Sequence, residues 1–321
     1  MAATKTRILV FSDTHAEVYR PADYGHLDLV VHCGDLTEGS KLAGYRTTLE
    51  MLRQIPASRK LIIAGNHDFT LDAKAYEQIL KDSRLSINDA QVREDYGAFG
   101  EAESLLRNEE ARPSGIVYLE EGNHVVKLTN GAELKIYAGP YTPSKEGGMA
   151  FRYHPDTGRE WHMNADVDFV ITHGPPQGIL DLTNDKLRAG DPKLFAAVAR
   201  TKPAMHCFGH IHTQWGARRV TWRADLGDNP SHFTAIDNSK GAGVIESASA
   251  LRPGPFESSS DKDEKAVRWQ RYRKLGYCVA DLIAVPALTN AKETVFINAA
   301  IQGHDKDNSQ VPWLVELELP K

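Results

Sequence analysis

Short apolar runs that end abruptly in polar side chains recur along this sequence. The clearest is 61–64, too short for a helix of its own and followed at once by Gly65-Asn66-His67-Asp68. Such a run is consistent with a buried strand. Gly65 would allow a sharp turn at the carboxyl end of that strand, where open α/β sheets keep their ligand sites. Taken alone, Asn66-His67-Asp68 would serve equally well as a loop or a helix N-cap, so its meaning depends on the rest of the chain.

Four other predicted strands end in the same chemistry. Each is an apolar run followed by a carboxylate or an imidazole, namely 7–11 (Asp13, His15), 27–31 (Asp35), 167–171 (His173) and 204–208 (His210, His212). Residues two apart in an extended segment point to the same side, so each of the two pairs can face one ligand. With Asn66, the five strand ends supply seven oxygen or imidazole donors and no thiolate.

This donor set predicts a metal site. Carboxylates with neutral imidazoles suit Mn²⁺, Fe or Zn²⁺, whereas Mg²⁺ alone would favour more oxygen and a structural zinc would favour sulfur. Seven donors exceed what one tetrahedral ion uses, but two ions that share a bridging carboxylate would account for them. Such a pair of ions clamps the attacking and leaving oxygens of a phosphoryl group. The alternative, satisfied core histidines, explains a lone histidine better than it explains five strand ends.

Composition narrows the classes of partner and compartment. The chain has 321 residues, 41% of them hydrophobic, and a net charge of −5, which argues against a surface that coats nucleic acid or anionic membrane. A basic segment with aromatics, 268–274, fits a solvated helix face better than a nucleic-acid contact. Three cysteines make no disulfide framework and suit a reducing compartment. No apolar leader and no run of about 18 apolar residues occurs, so we expect a cytoplasmic protein without a membrane segment.

Periodicity predicts helices at 41–55, 71–80 and 192–200. Asn130-Gly131 between two alternating runs predicts a hairpin. The segment 140–165 is rich in glycine, proline and aromatic residues, and we expect a long loop there that borders a binding site.

Polar side chains at the ends of predicted strands occur from Asp13 to Asn298, which favours one domain over residues 1–321 rather than two. We expect insertions in it at about 86–113 and 224–293. Residues 237–265 are rich in Ser, Gly, Pro, Asp and Lys and have almost no apolar periodicity, so we expect them to be disordered.

The strand-end motifs together resemble those of the calcineurin-like metallophosphoesterases. The matching segments are Asp13-x-His15, Gly34-Asp35, Gly65-Asn66-His67-Asp68, Thr172-His173-Gly174 and Gly209-His210-Ile211-His212. Within that superfamily, the chain is most similar to the metallophosphoesterase-domain-containing subfamily. The stretches that carry this closer similarity are 11–15, 173–176 and 208–212, with 118–120 leading to 136–141.

The resemblance implies an α/β fold in which a two-sheet β sandwich is flanked by helices (α-β-β-α). It implies two divalent metal ions, with Mn²⁺ expected first and Fe, Zn²⁺ or Mg²⁺ as alternatives, and Asp35 bridging them. His67 would contact the phosphate or the leaving oxygen without being a ligand, and Asp68 would orient it. The implied ligands are Asp13, His15, Asp35 and His212 for one ion, and Asp35, Asn66, His173 and His210 for the other.

The expected function is therefore hydrolysis of a phosphodiester in a small nucleotide-like substrate, with cyclic nucleotides among the candidates. A phosphomonoesterase or a phosphoprotein phosphatase is the alternative among enzymes. From another class, the chain could be a scaffold that holds a nucleotide with little turnover. The complete ligand set and His67 favour the enzyme, because a scaffold needs neither.

Overall fold

A computed structural model describes residues 3–17, 22–108, 114–146, 149–241, 243–282, 292–303 and 310–320. Its strands are β1 Ala3–Phe11, β2 Leu27–His32, β3 Ala57–Ile62, β4 Ile116–Tyr118, β5 Gly122–Lys127, β6 Glu133–Gly139, β7 Thr142–Pro143, β8 Arg152–Tyr153, β9 Phe169–Thr172, β10 Met205–Phe208, β11 Gly216–Thr221, β12 Val244–Ser247, β13 Cys278–Asp281, β14 Glu293–Asn298 and β15 Trp313–Pro320. Its α-helices are α1 Leu42–Gln54, α2 Ala73–Asp82, α3 Ala90–Tyr96, α4 Glu101–Arg107, α5 Pro192–Thr201, α6 Ala248–Leu251 and α7 Ser259–Leu275.

Two mixed sheets form the body of the molecule. The first has six strands in the order β13-β15-β1-β2-β3-β4, and the second has seven in the order β12-β11-β14-β10-β9-β6-β5. Strands β1 to β4 run parallel in the first sheet, and β6, β9, β10 and β14 run parallel in the second. Parallel strands end at the same edge of a sheet, so the side chains that follow them are brought together.

Alternation along the strands sorts the apolar side chains into layers. One face of each sheet, with Val10 of β1 and Ile171 of β9, fills the space between the sheets. The outer face of the first sheet, with Phe11, packs against α1, and the outer face of the second, with Phe208, packs against α5. The predicted α-β-β-α sandwich is therefore confirmed.

The helices form where the apolar spacing predicted them. Leu42, Tyr45 and Leu49 of α1 are buried at helical spacing, which fixes the face of α1 that meets the sheet. At the start of α5, the Asp191 side chain accepts from the backbone N–H of Leu194 and Pro192 occupies the first turn. The predicted hairpin is also present, because β5 and β6 pair antiparallel around residues 130–131.

The structure corrects the expected disorder at 237–265, which contain β12, α6 and the first part of α7. Strand β12 pairs with β11 at the edge of the seven-stranded sheet, and Leu251 of α6 is buried in the core between the sheets. Helix α7 carries no fully buried residue and is attached through Trp269 and Tyr272, whose hydroxyl donates to Glu246. So few anchoring side chains leave almost no periodic signal in the sequence.

The segment 86–113 contains α3 and α4, and Val92 and Leu106 are buried there. Residues 109–113 of it, and residues 242 and 283–291 of the expected second insertion, lie outside the described ranges. Within those ranges, none of the helices combines the length and apolar character that crossing a bilayer requires.

Candidate metal centre

All seven donors predicted from the strand ends meet where the carboxyl ends of the two sheets face each other. The structure places them in two groups whose ligand atoms lie within 4.8 Å of one another, Asp13 with His15 and His212, and Asp35 with His173 and His210. Asn66 joins the second group, because its Oδ1 lies 3.0 Å from Nε2 of His173.

Asp35 lies between the two groups. Its Oδ2 is 3.2 Å from Nε2 of His173 in one group and 3.9 Å from Nε2 of His15 in the other. Its Oδ1 accepts from the backbone N–H of His67 at 2.8 Å, which fixes the orientation of the carboxylate. Asp35 thus occupies the position that a carboxylate bridging two ions would need.

Asp13 organises the other group. Its Oδ1 lies 3.2 Å from Nε2 of His212, and both of its oxygens accept from the backbone N–H of His210 at 3.1 Å. Nε2 of His212 is in turn 3.5 Å from Nε2 of His15. Three ligand atoms therefore converge on one point from β1 and from the segment after β10.

The backbone at several of these residues is in the left-handed region. The φ angles are 56° at Asp13, 50° at His15, 53° at Asp35 and 66° at His210. Non-glycine residues seldom adopt positive φ, and each such residue costs about 1–3 kcal/mol unless its surroundings hold it there. Backbone hydrogen bonds from Asp13 to Gly34 and from His15 to Asp35 supply that restraint. Backbone strain at four candidate ligands indicates that this geometry serves a function.

Two positions next to the candidate ligands require glycine, because a ligand carboxylate lies too close to leave room for a side chain. A Cβ on Gly65 would lie 2.2 Å from Oδ1 of Asp35, and one on Gly209 would lie 2.1 Å from Oδ2 of Asp13. Gly65 does not have a positive φ, so crowding by Asp35, rather than the turn expected from the sequence, is the reason for glycine there.

Burial and charge decide the protonation of the centre. Burial would raise the pKa of Asp35, but His173 lowers it well below its usual range. The pKa of Asp13 is likewise raised by burial and lowered by more through His212. Burial would lower the pKa of His173, whereas Asp35 raises it to about 9; burial lowers the pKa of His210 to about 3. The centre therefore holds two buried carboxylates and a neutral imidazole near neutral pH.

These residues fit a pair of divalent cations. Their donors are carboxylate, amide and imidazole, the set that suits Mn²⁺, Fe or Zn²⁺. Cys33 and Cys207 are buried nearby in the core, and burial raises the pKa of both thiols, so no thiolate competes. The Nδ1–H of His173 donates to the carbonyl of Cys33 at 2.9 Å, which reserves Nε2 as the ligand atom.

Glu38 was not predicted from the sequence, yet it contacts two histidines of the centre. Its Oε2 lies 2.9 Å from Nδ1 of His15, whose Nε2 faces the first group. Its backbone carbonyl accepts from Nδ1 of His67 at 2.7 Å. His15, Glu38 and His67 form a third group of potential ligand atoms. Only its position three residues after Asp35 could have drawn attention to Glu38.

The structure corrects the role expected for Asp68. Its carboxylate is fully buried and accepts from the backbone N–H groups of Gly65, Leu36 and Thr37 at 2.9–3.0 Å, and from the Thr37 hydroxyl at 3.0 Å. Burial raises its pKa to about 7, which these hydrogen bonds oppose. Asp68 therefore joins the loop after β3 to the loop after β2, while the orienting contact of His67 comes from Glu38.

Two buried histidines that the sequence analysis passed over support the ligand segments. Nε2 of His32 is 2.9 Å from the hydroxyl of Thr14, and Nε2 of His206 is 2.8 Å from the hydroxyl of Thr172. Each threonine directly precedes a candidate ligand. Burial lowers the pKa of both imidazoles to about 3, so they act as neutral hydrogen-bonding groups. Their place inside apolar strands is the only sign of this role in the sequence.

Comparison with known proteins gives related sequences. A family profile described as calcineurin-like phosphoesterase matches residues 6–214. The probable rhamnogalacturonate lyase C of Emericella nidulans is 30% identical over 217 residues, which are 67% of this chain and 18% of that protein. Metallophosphoesterase domain-containing protein 1 of Homo sapiens and of Mus musculus is 30% identical over 215 residues, 66% of this chain and 62% of the relative. The matches thus span less than two thirds of these relatives.

Proposed function

Because this chain belongs to the calcineurin-like phosphoesterase family, we propose that it is a metal-dependent phosphodiesterase acting on a small nucleotide-like substrate at a dinuclear metal centre. The placement of Asp35 between two groups of ligand atoms carries this proposal. The proposed ligands are Asp13, His15, Asp35 and His212 for one ion, and Asp35, Asn66, His173 and His210 for the other.

The chemistry follows from the charges around the phosphoryl group. When bound, two divalent ions polarise the phosphoryl oxygens and stabilise both the attacking and the leaving oxygen. The buried carboxylates and imidazoles of the centre would hold those ions. His67 is only half buried, and its Nδ1–H donates to the carbonyl of Glu38. In the imidazolium form its Nε2–H can therefore donate a proton to a departing alkoxide, which leaves the neutral Nδ1–H imidazole.

Substrate and compartment belong to the same proposal. A small phosphoester suits a centre built from loops that follow the strands, and the net charge of −5 disfavours a polynucleotide. We place the protein in the cytoplasm, because its three cysteines are all buried and unpaired, as is common in a reducing compartment.

The deciding experiment is an activity panel on Mn²⁺-reconstituted protein. The panel compares diesters, including cyclic nucleotides and bis(p-nitrophenyl) phosphate, with p-nitrophenyl phosphate and a phosphopeptide. We expect diesters to be hydrolysed fastest and chelation to abolish hydrolysis reversibly. Asp35→Asn should be inactive, and the exposed Asp156→Asn serves as its matched control.

The other outcomes assign the alternatives. Faster hydrolysis of monoesters or of the phosphopeptide would make the protein a monoesterase or a phosphoprotein phosphatase. If protein that carries its full complement of metal binds nucleotides but hydrolyses no ester, it is a scaffold.

A further inference from the structure

Arg152, at the start of β8 in the long loop after β6, holds an unusual set of contacts. Its Nη2 lies 2.8 Å from the thioether sulfur of Met149, and its Nη1 donates to the carbonyl of Glu146 at 3.4 Å. Its Nε is buried and has no hydrogen-bond partner among the residues that the structure describes. A thioether and one distant carbonyl are weak acceptors, so most of the donor capacity of this guanidinium is unused.

The loop that carries Arg152 is attached to the candidate metal centre. The backbone N–H of Ala150 donates to the carbonyl of Asn66 at 3.1 Å, and the Asn66 amide Nδ2 lies 3.3 Å from the sulfur of Met149. A single atom, the sulfur of Met149, therefore lies between the guanidinium of Arg152 and the amide of the proposed ligand Asn66. The long loop expected at 140–165 does border the centre, and Arg152 is the cation it brings there.

The charge of Arg152 is not matched by an ion pair among the described residues. Burial lowers the pKa of its guanidinium, and the negative charges of Glu146 and Asp35 oppose that shift. An arginine remains protonated at neutral pH all the same. Its register partner in β7–β8, Thr142, is fully buried, and the Thr142 hydroxyl has no hydrogen-bond partner within the described part of the chain. Buried polar groups are normally satisfied, so unmet donors here point to a ligand.

We infer that Arg152 is the phosphate-binding cation of this site, with its guanidinium donating to the non-bridging oxygens of the phosphoryl group that the substrate presents to the centre. The planar fork of arginine matches two phosphate oxygens and gives orientation as well as charge. The inference rests on the proposed function, since it assigns a substrate contact to the proposed centre. It also adds a recognition group that is independent of the metal ligands.

The test measures binding of inorganic phosphate to Mn²⁺-loaded protein by calorimetry, with metal content and Tm recorded for every variant. Arg152→Gln should raise the Kd for phosphate by about tenfold or more, the loss of at least one charge-assisted hydrogen bond. Metal content should equal that of wild type. The matched control is Arg93→Gln on the exposed side of α3, which should leave the Kd unchanged.

Kinetics with bis(p-nitrophenyl) phosphate, which has a single phosphate, provide a second readout. A contact made equally to substrate and transition state should appear mainly as a raised KM in Arg152→Gln. Arg152→Lys keeps the charge but not the fork, so its Kd and KM should fall between those of wild type and Arg152→Gln.

Phosphate Kd and KM within about twofold of wild type in metal-loaded Arg152→Gln would overturn the inference, since the expected loss is about tenfold. If that variant fails to fold or to bind metal, Arg152→Lys decides, because an unchanged Kd in it refutes the contact of the guanidinium with two phosphate oxygens that the inference assigns. Binding of phosphate needs no turnover, so the two proposals separate. Protein that hydrolyses no ester but loses phosphate affinity in Arg152→Gln would refute the phosphodiesterase alone.

Discussion

At the scale of single residues, His67 and Asn66 are chain neighbours with different surroundings. Asn66 joins the ligand group of His173, whereas His67 donates its backbone N–H to Asp35 and turns its ring against that of His15, at a centroid distance of 4.8 Å. The His67 side chain can therefore be removed while its backbone contact to the bridging carboxylate remains. A substitution of His67 should therefore affect proton transfer without affecting metal binding.

His67→Ala should lower kcat for an alkyl phosphodiester by about a hundredfold or more, the range expected for general acid catalysis. A nitrophenyl diester should lose much less, because its phenolate departs without a proton. Metal content should equal that of wild type and of the exposed control His162→Ala. Equal losses on both esters would assign His67 to charge stabilisation, and loss of metal would make it a ligand.

The protonation of His173 gives metal binding a pH dependence. In the metal-free protein Asp35 raises the pKa of His173 to about 9, yet the imidazole must be neutral to bind metal. Binding near pH 7 should therefore release a proton from His173, and the apparent affinity for Mn²⁺ should rise with pH until about 9. Calorimetry in buffers of different ionisation enthalpy counts the protons. Release as large at about pH 10, where His173 is already neutral, would refute this assignment.

The sign for folding stability is the opposite. A histidine whose pKa is raised from 6.5 to about 9 stabilises the metal-free fold fully below the lower value. That contribution is lost as the pH rises toward 9, so His173 links tighter metal binding at high pH to a less stable apoprotein.

At the scale of elements, Asp68 holds together the loops that follow β2 and β3. Asparagine has one carbonyl oxygen for the four donors that the carboxylate now satisfies, and its NH₂ would face N–H groups. Asp68→Asn should therefore cost about 1–3 kcal/mol in the free energy of unfolding. Because Asp35 precedes Leu36 in the same loop, metal affinity should fall as well, and activity should drop equally on alkyl and nitrophenyl esters.

Chemical denaturation and metal titration of Asp68→Asn check this prediction, with the exposed Asp89→Asn as control. A loss confined to the alkyl ester, with normal stability, would restore the role of orienting His67 that the sequence suggested.

The ligand residues could be predicted because each follows an apolar strand and parallel strands end together. Glu38 and Arg152 could not, because both belong to loops in which no periodicity relates sequence to position. The partner of Asp68 depended on how two loops fold against each other, which neighbouring residues do not reveal. The order in 237–265 was missed for a related reason: β12 is an edge strand, and Leu251 is the one buried residue of α6.

At the scale of the whole molecule, the candidate centre joins the two sheets. Asp13, Asp35 and Asn66 follow strands of the first sheet, and His173 and His210 follow strands of the second. Strands β1 and β15 pair with each other in the first sheet, and we propose that residues 1–321 form one domain around the centre. Ions bound there would hold the edges of the two sheets together.

Metal binding should therefore stabilise the entire fold. A ligand that binds only the folded state adds about 2.7 kcal/mol per site at a concentration one hundred times its Kd. Excess Mn²⁺ should raise the Tm of the metal-free protein by several degrees, and a chelator should reverse the shift. Asp35→Asn should abolish most of the increase, because a bridging carboxylate serves both ions, while His212→Ala should keep the part due to the second ion and Asp156→Asn should keep all of it. Elemental analysis of reconstituted wild type should give two ions per chain; fewer than one ion, or a Tm indifferent to Mn²⁺, would contradict the dinuclear centre.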